Sequence, residues 1–295
     1  MKKNCIYAFT TVFIWSTTAT AAKLLLSDIP NLQTLAVGSI FAFLFLLLVN
    51  IRTGAAREMR RYSPKDYGIM AGLGFLGLFV YSALYYYGLT QLSAQEACIV
   101  NYLWPIMLVL FSCIILKEKL TAVKVLAMLC SFLGIVIIST GGGSSADGNT
   151  ALGIAGCIVA AACYGLFSVL NKKADYNQNI AMMVIWLTTA VCSTVLGLLT
   201  EEWVPVRGIQ WAGFVWLGVV INAVAYLLWA YALRGAENTA KIANLAYLTP
   251  FLSLVVSAAV LGERISLRAF LALVFIVGGI LVQSFYEGRG NGAGK

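Results

Sequence analysis

The segment NYLWP, residues 101–105, places an amide, a phenol, an indole and a proline together in an otherwise apolar run. None of these groups is the general base that a nucleophilic catalyst needs. Their chemistry is non-covalent, because aromatic rings offer large faces for stacking while the amide, phenol and indole add hydrogen-bonding groups. The segment therefore indicates a site that binds a small molecule.

A helix positions these side chains on one face. Asn101, Trp104, Pro105 and Leu108 follow the spacing i, i+3, i+4, i+7. Pro105 frees the carbonyl of Asn101 from its helical donor, so we expect it to bend the helix, and we expect the same of Pro250. The two bent helices would frame one central cavity.

Similar polar and aromatic stripes recur at helical spacing in five other apolar segments. The substrate-binding residues predicted from all six stripes are Trp15, Tyr81, Tyr85, Asn101, Tyr102, Trp104, Tyr164, Ser168, Asn222, Tyr226, Asn244 and Tyr247. Tyr and Trp also occupy the interfacial belts of membrane proteins, and an interhelical hydrogen bond is the competing role for Asn222 and Asn244.

The composition places the chain in a membrane. Of its 295 residues, 61% are hydrophobic and only 11% are charged, against roughly 25% charged in soluble domains. Ten intervals without a charged residue are long enough for spanning helices, which need about 17 to 25 residues. They are 4–22, 29–51, 67–95, 97–116, 125–146, 148–171, 176–200, 208–233, 242–262 and 269–286. We therefore predict an all-α integral membrane protein with ten transmembrane helices.

The basic residues predict its orientation. With the N-terminus in the cytoplasm, sixteen of the 20 Lys and Arg residues fall inside, and four fall outside. Because cytoplasmic loops carry the excess of Lys and Arg, both termini should be cytoplasmic. This distribution also accounts for the net charge of +8, so the lipid bilayer and a small-molecule solute are the expected partners, and nucleic acid is not.

The chain contains an internal repeat. A shift of 145 residues places Tyr102 on Tyr247 and Pro105 on Pro250, and a shift of 149 places Trp15 on Tyr164. We predict a five-helix repeat at 1–140, a linker at 141–150, a second repeat at 151–286 and a cytoplasmic tail at 287–295. Five helices are an odd number, so the repeats are inverted, as in many secondary transporters.

The combination resembles the drug/metabolite transporter superfamily, and within it the EamA-type exporters of ten helices. The resemblance rests on Trp15-Ser16, the two proline helices, and the turns LKEKLT (116–121) and LGERIS (261–266). NYLWP itself is similar to the bacterial inner-membrane exporters of aromatic amino acids in that superfamily. The resemblance implies an exporter in the bacterial cytoplasmic membrane, with Tyr81, Tyr102, Trp104 and Tyr164 lining its cavity.

A membrane-embedded enzyme or sensor acting on a lipid-borne substrate is the alternative. A hydrolase needs a base beside its nucleophile, but the chain has no histidine and its twelve carboxylates lie at or beyond helix ends. We therefore expect no catalytic residue, no metal and no cofactor. The glycine pattern GLGFLG (72–77) follows no strand, so we interpret it as close helix packing rather than dinucleotide binding.

The charges at helix ends are expected to serve the turns. Glu118 and Glu263 occupy equivalent turns in the two repeats. We expect these carboxylates to stabilise the turns and helix ends rather than to bind substrate. Because no interval contains a titratable Asp, Glu or His, we also expect facilitated diffusion or exchange by alternating access, with Glu96 as the nearest candidate for proton coupling.

Overall fold

The structure, a computed structural model, describes residues 2–117, 121–139, 149–173, 176–234 and 244–290, and these residues contain helices but no strand. We number the helices in chain order. The first five are α1 (Lys2–Ser16 and Thr18–Leu26), α2 (Asn31–Arg52), α3 (Pro64–Gly74, π-helical Phe75–Val80 and Tyr81–Gln91), α4 (Ala94–Asn101 and Trp104–Ile115) and α5 (Ala122–Ser139). The others are α6 (Thr150–Lys173), α7 (Gln178–Thr200), α8 (Gln210–Val215, π-helical Trp216–Val224 and Ala225–Arg234), α9 (3-10-helical Asn244–Leu248 and Thr249–Leu261) and α10 (Leu267–Gly290).

Seven of these helices are long and apolar enough to cross a membrane within the described residues: α1, α2, α3, α4, α6, α7 and α8. The other three predicted intervals contain shorter apolar helices, at Ala122–Ile138, Leu245–Leu261 and Leu267–Val282. Glu118, Lys119, most of the 141–150 linker and the last five residues of the tail lie outside the described residues. The fold is that of a multi-pass helical membrane protein.

Local sequence determines where α3 and α4 begin. The Ser63 hydroxyl accepts a hydrogen bond from the Asp66 amide, and the Asp66 carboxylate accepts one from the Ser63 amide. Ser93 and Glu96 form the same capping box at the start of α4. Each box satisfies two backbone donors that a helix N-terminus otherwise leaves free.

The helices around the centre pack in two groups. In one, α6 packs against α3 and α4; in the other, α1 packs against α8 and α9. We call them the α3–α4–α6 group and the α1–α8–α9 group. Outside them, α2 packs against α7, and α5 packs against α10. Each central group therefore takes one helix from one predicted repeat and two from the other.

The helix ends meet on two opposite faces. The basic face carries the α2–α3 and α6–α7 connections and the Lys and Arg residues of 52–65. There the Asn50 amide donates to the Asn179 carbonyl oxygen over 3.1 Å, and the Asn177 amide donates to the Glu58 carboxylate over 2.9 Å. Asn4, on α1, also donates to the carbonyl oxygen of Ala232, at the end of α8.

The acidic face carries the α1–α2, α3–α4, α7–α8 and α9–α10 turns. Its described carboxylates are Asp28, Glu96, Glu201, Glu202 and Glu263. Hydrogen bonds across this face join α2 to the α7–α8 turn and α4 to the α9–α10 turn. The helices joined by these described turns therefore run in opposite directions between the two faces.

Candidate functional site

A cavity of about 600 Å³ lies between the two central groups. Ten of the twelve predicted substrate-binding residues line it: Trp15, Tyr81, Tyr85, Asn101, Tyr102, Trp104, Tyr164, Ser168, Asn222 and Tyr226. The structure therefore brings together side chains that are up to 211 positions apart in the chain, from Trp15 to Tyr226. Their part in binding a solute stays a prediction.

The wall contributed by the α3–α4–α6 group is a continuous set of aromatic rings. Tyr81 stacks on Tyr85, with ring centroids 6.0 Å apart, and lies 4.9 Å from Tyr164. Trp104 meets Tyr164 edge to face at 5.3 Å. Because these rings hold one another in place, the wall presents a preorganised aromatic surface.

The facing wall belongs to the α1–α8–α9 group and is smaller. Trp15 lies 5.4 Å from Tyr226 and 5.4 Å from Trp229, measured between ring centroids. Asn222, on the π-helical part of α8, is only 8% exposed and adds an amide beside these rings. A solute in the cavity would contact aromatic faces on both sides.

The two prolines sit at interruptions of their helices. The first segment of α4 ends at Asn101 and the second begins at Trp104, so Pro105 occupies the first turn of a new segment, where its missing N–H costs least. Pro250 has the same position in α9. The predicted bends are therefore breaks, and the break in α4 directs Tyr102 and Trp104 into the cavity.

The break also joins the two walls. The Tyr102 hydroxyl donates a hydrogen bond to the carbonyl oxygen of Ala246, in the 3-10-helical start of α9. Both residues line the cavity. This contact connects the interrupted helices of the two groups directly beside the site.

Uncharged polar groups complete the lining. The Asn101 amide donates to the Tyr81 hydroxyl over 3.1 Å, and the Ser168 hydroxyl donates to the Tyr164 carbonyl over 2.7 Å. The Asn101 side-chain oxygen is buried and has no hydrogen-bond partner among the described residues. None of the lining residues that the structure describes carries a formal charge. The site can therefore accept hydrogen bonds from a solute but offers no ion pair.

The other two predicted substrate-binding residues are not among the described residues that line the cavity. The side chain of Asn244 lies outside the described residues. Tyr247 is half-buried and packs against the main apolar cluster rather than lining the cavity. Its equivalent in the repeat, Tyr102, does line the cavity, so the two interrupted helices do not contribute equally.

Sequence reasoning missed the contribution of α7. Gln178, Asn179 and Trp186 line the cavity from that helix. No polar and aromatic stripe marks it, because Trp186 stands in an aliphatic run and the amides at its start have the composition of a helix cap. The cluster of amides at 177–179 was the feature of the sequence that could have indicated a contribution of α7 to the site.

The cavity approaches one face only. Gln178 and Asn179 lie beside the α6–α7 connection of the basic face, whereas no described residue of the acidic-face turns lines the cavity. Towards the acidic face, the ends of α1 and α3 and the start of α4 bury a set of small and aliphatic side chains in one apolar cluster. The site is thus reached from the basic face and sealed towards the acidic face.

Two of the three glycines of GLGFLG, Gly74 and Gly77, pack closely against other helices, whereas Gly72 does not. Gly74, in α3, lies so close to α7 that a Cβ atom there would stand 2.8 Å from the Ile185 carbonyl oxygen. The π-helical segment of α3 begins at the next residue. Because the motif lies inside a membrane-length helix, this contact supports packing over nucleotide binding.

Comparison with known proteins gives the following matches. The model of the EamA-like transporter family matches residues 2–140 and again residues 151–285. An aromatic amino acid exporter, YddG, from Ancylobacter novellus is 26% identical over 294 residues, covering 96% of this chain and 98% of that protein. An uncharacterised transporter from Clostridium kluyveri is 24% identical over 306 residues, covering 99% and 96%.

A probable terminal-alkyne amino-acid exporter from Streptantibioticus cattleyicolor is 24% identical over 208 residues, covering 70% of this chain and 69% of that protein. A solved structure, titled only as the crystal structure of a protein, superposes with a TM-score of 0.69. It is 23% identical and covers 98% of this chain and 99% of its own. At this identity the superposition is evidence for the fold alone.

Proposed function

Because this chain belongs to the EamA-like transporter family, we propose that it is a secondary transporter that exports a small uncharged or zwitterionic metabolite, an amino acid in particular, by alternating access. The observation that carries the proposal is the central cavity: an aromatic, uncharged site reached from one face and sealed towards the other. A site of this kind binds a solute on one side of the membrane and must reorganise to release it on the other.

The proposed architecture is ten transmembrane helices in two inverted repeats, 1–140 and 151–286, around this cavity. The two separate matches to the family model support it. The packing supports it too, because α1 packs against α8 as α6 packs against α3. The π-helical segments of α3 and α8, Phe75–Val80 and Trp216–Val224, also overlap when the chain is shifted by 145 residues.

In the proposed orientation, the basic face lies in the bacterial cytoplasm with both termini. The support is the positive-inside bias of the Lys and Arg residues. The cavity then faces the cytoplasm, which is the loading state of an exporter.

The proposed solute has an apolar or aromatic body and a polar end without net charge. The rings of Trp15, Tyr81, Trp104 and Tyr164 offer stacking surface, and the Asn101 oxygen offers an acceptor. Neutral amino acids fit this chemistry, and two relatives are named as exporters of an aromatic amino acid and of a terminal-alkyne amino acid.

Counterflow in proteoliposomes tests the function. Vesicles loaded with one unlabelled solute are diluted into a trace of the same radiolabelled solute, using a panel of neutral, acidic and basic amino acids and small sugars. We expect uptake with neutral apolar amino acids and none with the charged ones. A flux that favours acidic or basic solutes would contradict the solute class, and product formation without flux would favour the enzyme alternative.

A further inference from the structure

The tip of the α3–α4 hairpin on the acidic face is held from both sides by charged residues of the other group. On one side, the Glu263 carboxylate accepts hydrogen bonds from the Ala94 and Gln95 amides, over 2.7 and 3.1 Å. These are the first two residues of α4, where a helix presents free N–H groups and the positive end of its dipole. Glu263 belongs to the α9–α10 turn, so this contact joins the two groups.

On the other side of the tip, Lys23 binds the end of α3. Its ammonium group donates to the carbonyl oxygens of Leu89, over 3.1 Å, and of Leu92. A cation is favourable at a helix C-terminus for the same reason that a carboxylate is favourable at an N-terminus. Lys23 lies on α1, so this contact also runs from the α1–α8–α9 group to the α3–α4–α6 group.

Beneath this tip lies a layer that closes the cavity. We call Ala22, Leu25, Leu89, Leu92, Ala94 and Ala97 the plug; none of them is more than 3% exposed. Its members come from α1, α3, α4 and the α3–α4 turn, and none of them lines the cavity. A path from the cavity to the acidic face requires the plug to separate, and the two charged contacts oppose that separation.

A second carboxylate makes the same contact elsewhere on this face. Glu201 accepts hydrogen bonds from the Leu32 and Gln33 amides at the start of α2, over 2.9 and 3.1 Å. Its surroundings differ, however, because α2 and α7 are also tied at the basic face by the bond from Asn50 to Asn179. The pair of α2 and α7 is therefore joined by hydrogen bonds at both of its ends.

We propose that Glu263 and Lys23 form a latch that holds the acidic face of the transporter shut and opens in each transport cycle, whereas Glu201 is a permanent brace. The proposal rests on the proposed function, since only an alternating-access protein needs to open this face. Glu263, in a turn outside the cavity, would then control the face of the membrane to which the cavity opens.

Glu263→Gln tests the latch, with Glu201→Gln as the matched control. The amide keeps the size of the side chain but loses the charge and one of its two acceptors. Each variant is made in a chain with its seven cysteines replaced, carrying one reporter cysteine: Ala97→Cys in the plug or Asn179→Cys at the cavity mouth on the basic face. In nanodiscs, where both faces are accessible, the rate of reaction with a water-soluble thiol reagent measures opening.

We expect Glu263→Gln to raise labelling at residue 97 about tenfold, the effect of weakening one charge-assisted hydrogen bond, and to lower labelling at residue 179. Glu201→Gln should leave both rates within about twofold of the parent, since surface changes away from the moving contact have small effects. Equal effects of the two variants, or no change at residue 97 in Glu263→Gln, would overturn the latch. A rise at residue 97 without a fall at residue 179 would show local fraying and would overturn it too.

A second pair of variants covers a failure of either glutamate variant to fold. The Gln95 amide donates to the Glu263 carbonyl oxygen over 3.3 Å, and the Gln33 amide donates to the Val204 carbonyl oxygen over 2.7 Å. Gln95→Leu should open the plug and Gln33→Leu should not, and the reverse result would contradict the latch. Because labelling requires no solute, the two proposals can fail separately. The expected labelling changes in a protein without counterflow would refute the transport proposal but would still show that Glu263 holds the acidic face shut.

Discussion

Trp15 and Tyr226 lie edge to face, with ring centroids 5.4 Å apart, and their contact joins α1 to α8. Tyr164 and Tyr81 make the corresponding contact between α6 and α3, at 4.9 Å. The internal repeat equates Trp15 with Tyr164 and Tyr81 with Tyr226. The same two repeat positions are therefore in contact in both walls of the cavity. The first helix of each predicted repeat therefore packs against the third helix of the other, and each pair forms one wall of the cavity.

Removing one ring of such a pair should weaken solute binding. We expect Trp15→Ala and Trp104→Ala each to lower solute affinity about two- to tenfold, because an aromatic contact contributes roughly 0.5 to 1.5 kcal/mol beyond the area it buries. The measurement is the half-saturating concentration for counterflow. Trp211→Ala is the control, since Trp211 is 48% exposed and does not line the cavity. Unchanged affinity in folded Trp15→Ala and Trp104→Ala proteins would make both residues structural.

Much of the site follows from the sequence because a membrane helix constrains it strongly. Polar groups are costly in lipid, so Asn101 and Asn222 were expected to face the interior, and helical spacing then brings Trp104 and Tyr226 with them. The structure places all four in the cavity lining. Periodicity within a single helix is sufficient for this part of the prediction.

The arrangement between helices does not follow from periodicity. A repeat equates residues but does not say which helix faces pack, so the pairing of α1 with α8 could not be predicted. Glu263 was predicted to act at a helix end, and it does; its partner is a helix that begins 169 positions earlier, at Ala94. Trp186 was missed because one indole in an aliphatic run carries no periodic signal.

The two glycines of GLGFLG that flank Leu73 should differ in their tolerance of a methyl group. Gly74→Ala would place a Cβ atom 2.8 Å from the Ile185 carbonyl oxygen, whereas a Cβ atom at Gly72 meets nothing within 4 Å. We expect Gly74→Ala to destabilise the protein by about 1 to 3 kcal/mol, the usual cost of overpacking. Gly72→Ala should be neutral or slightly stabilising, since alanine is the better helix former. Thermal unfolding in detergent measures both, and equal melting temperatures would refute close packing at Gly74.

Single cysteines should report the orientation of the two faces. In a cysteine-free chain expressed in bacterial cells, we expect Ser145→Cys, in the linker, to react with an impermeant thiol reagent from outside. Thr53→Cys, in the α2–α3 connection of the basic face, should react only after the cells are opened, because the positive-inside rule places that face in the cytoplasm. The reverse pattern would invert the topology, and labelling of both sites from one side would refute the inverted repeat.

Net transport should follow the solute gradient alone. Carriers driven by protons commonly hold a titratable side chain within the membrane, but the lining residues that the structure describes include no Asp or Glu. Glu96, the nearest candidate for coupling, accepts a hydrogen bond from the Ser93 amide over 3.1 Å in the capping box that begins α4, and this contact stabilises the start of the helix. We expect proteoliposomes with identical buffer on both sides to equilibrate solute in either direction, and an imposed pH step to produce no accumulation above the external concentration.

Glu96→Gln should lower thermal stability through the weakened cap, by about 1 kcal/mol, and should leave the flux ratio of the two directions unchanged. Accumulation that requires the pH step and disappears in Glu96→Gln would refute facilitated transport and would identify Glu96 as the coupling carboxylate.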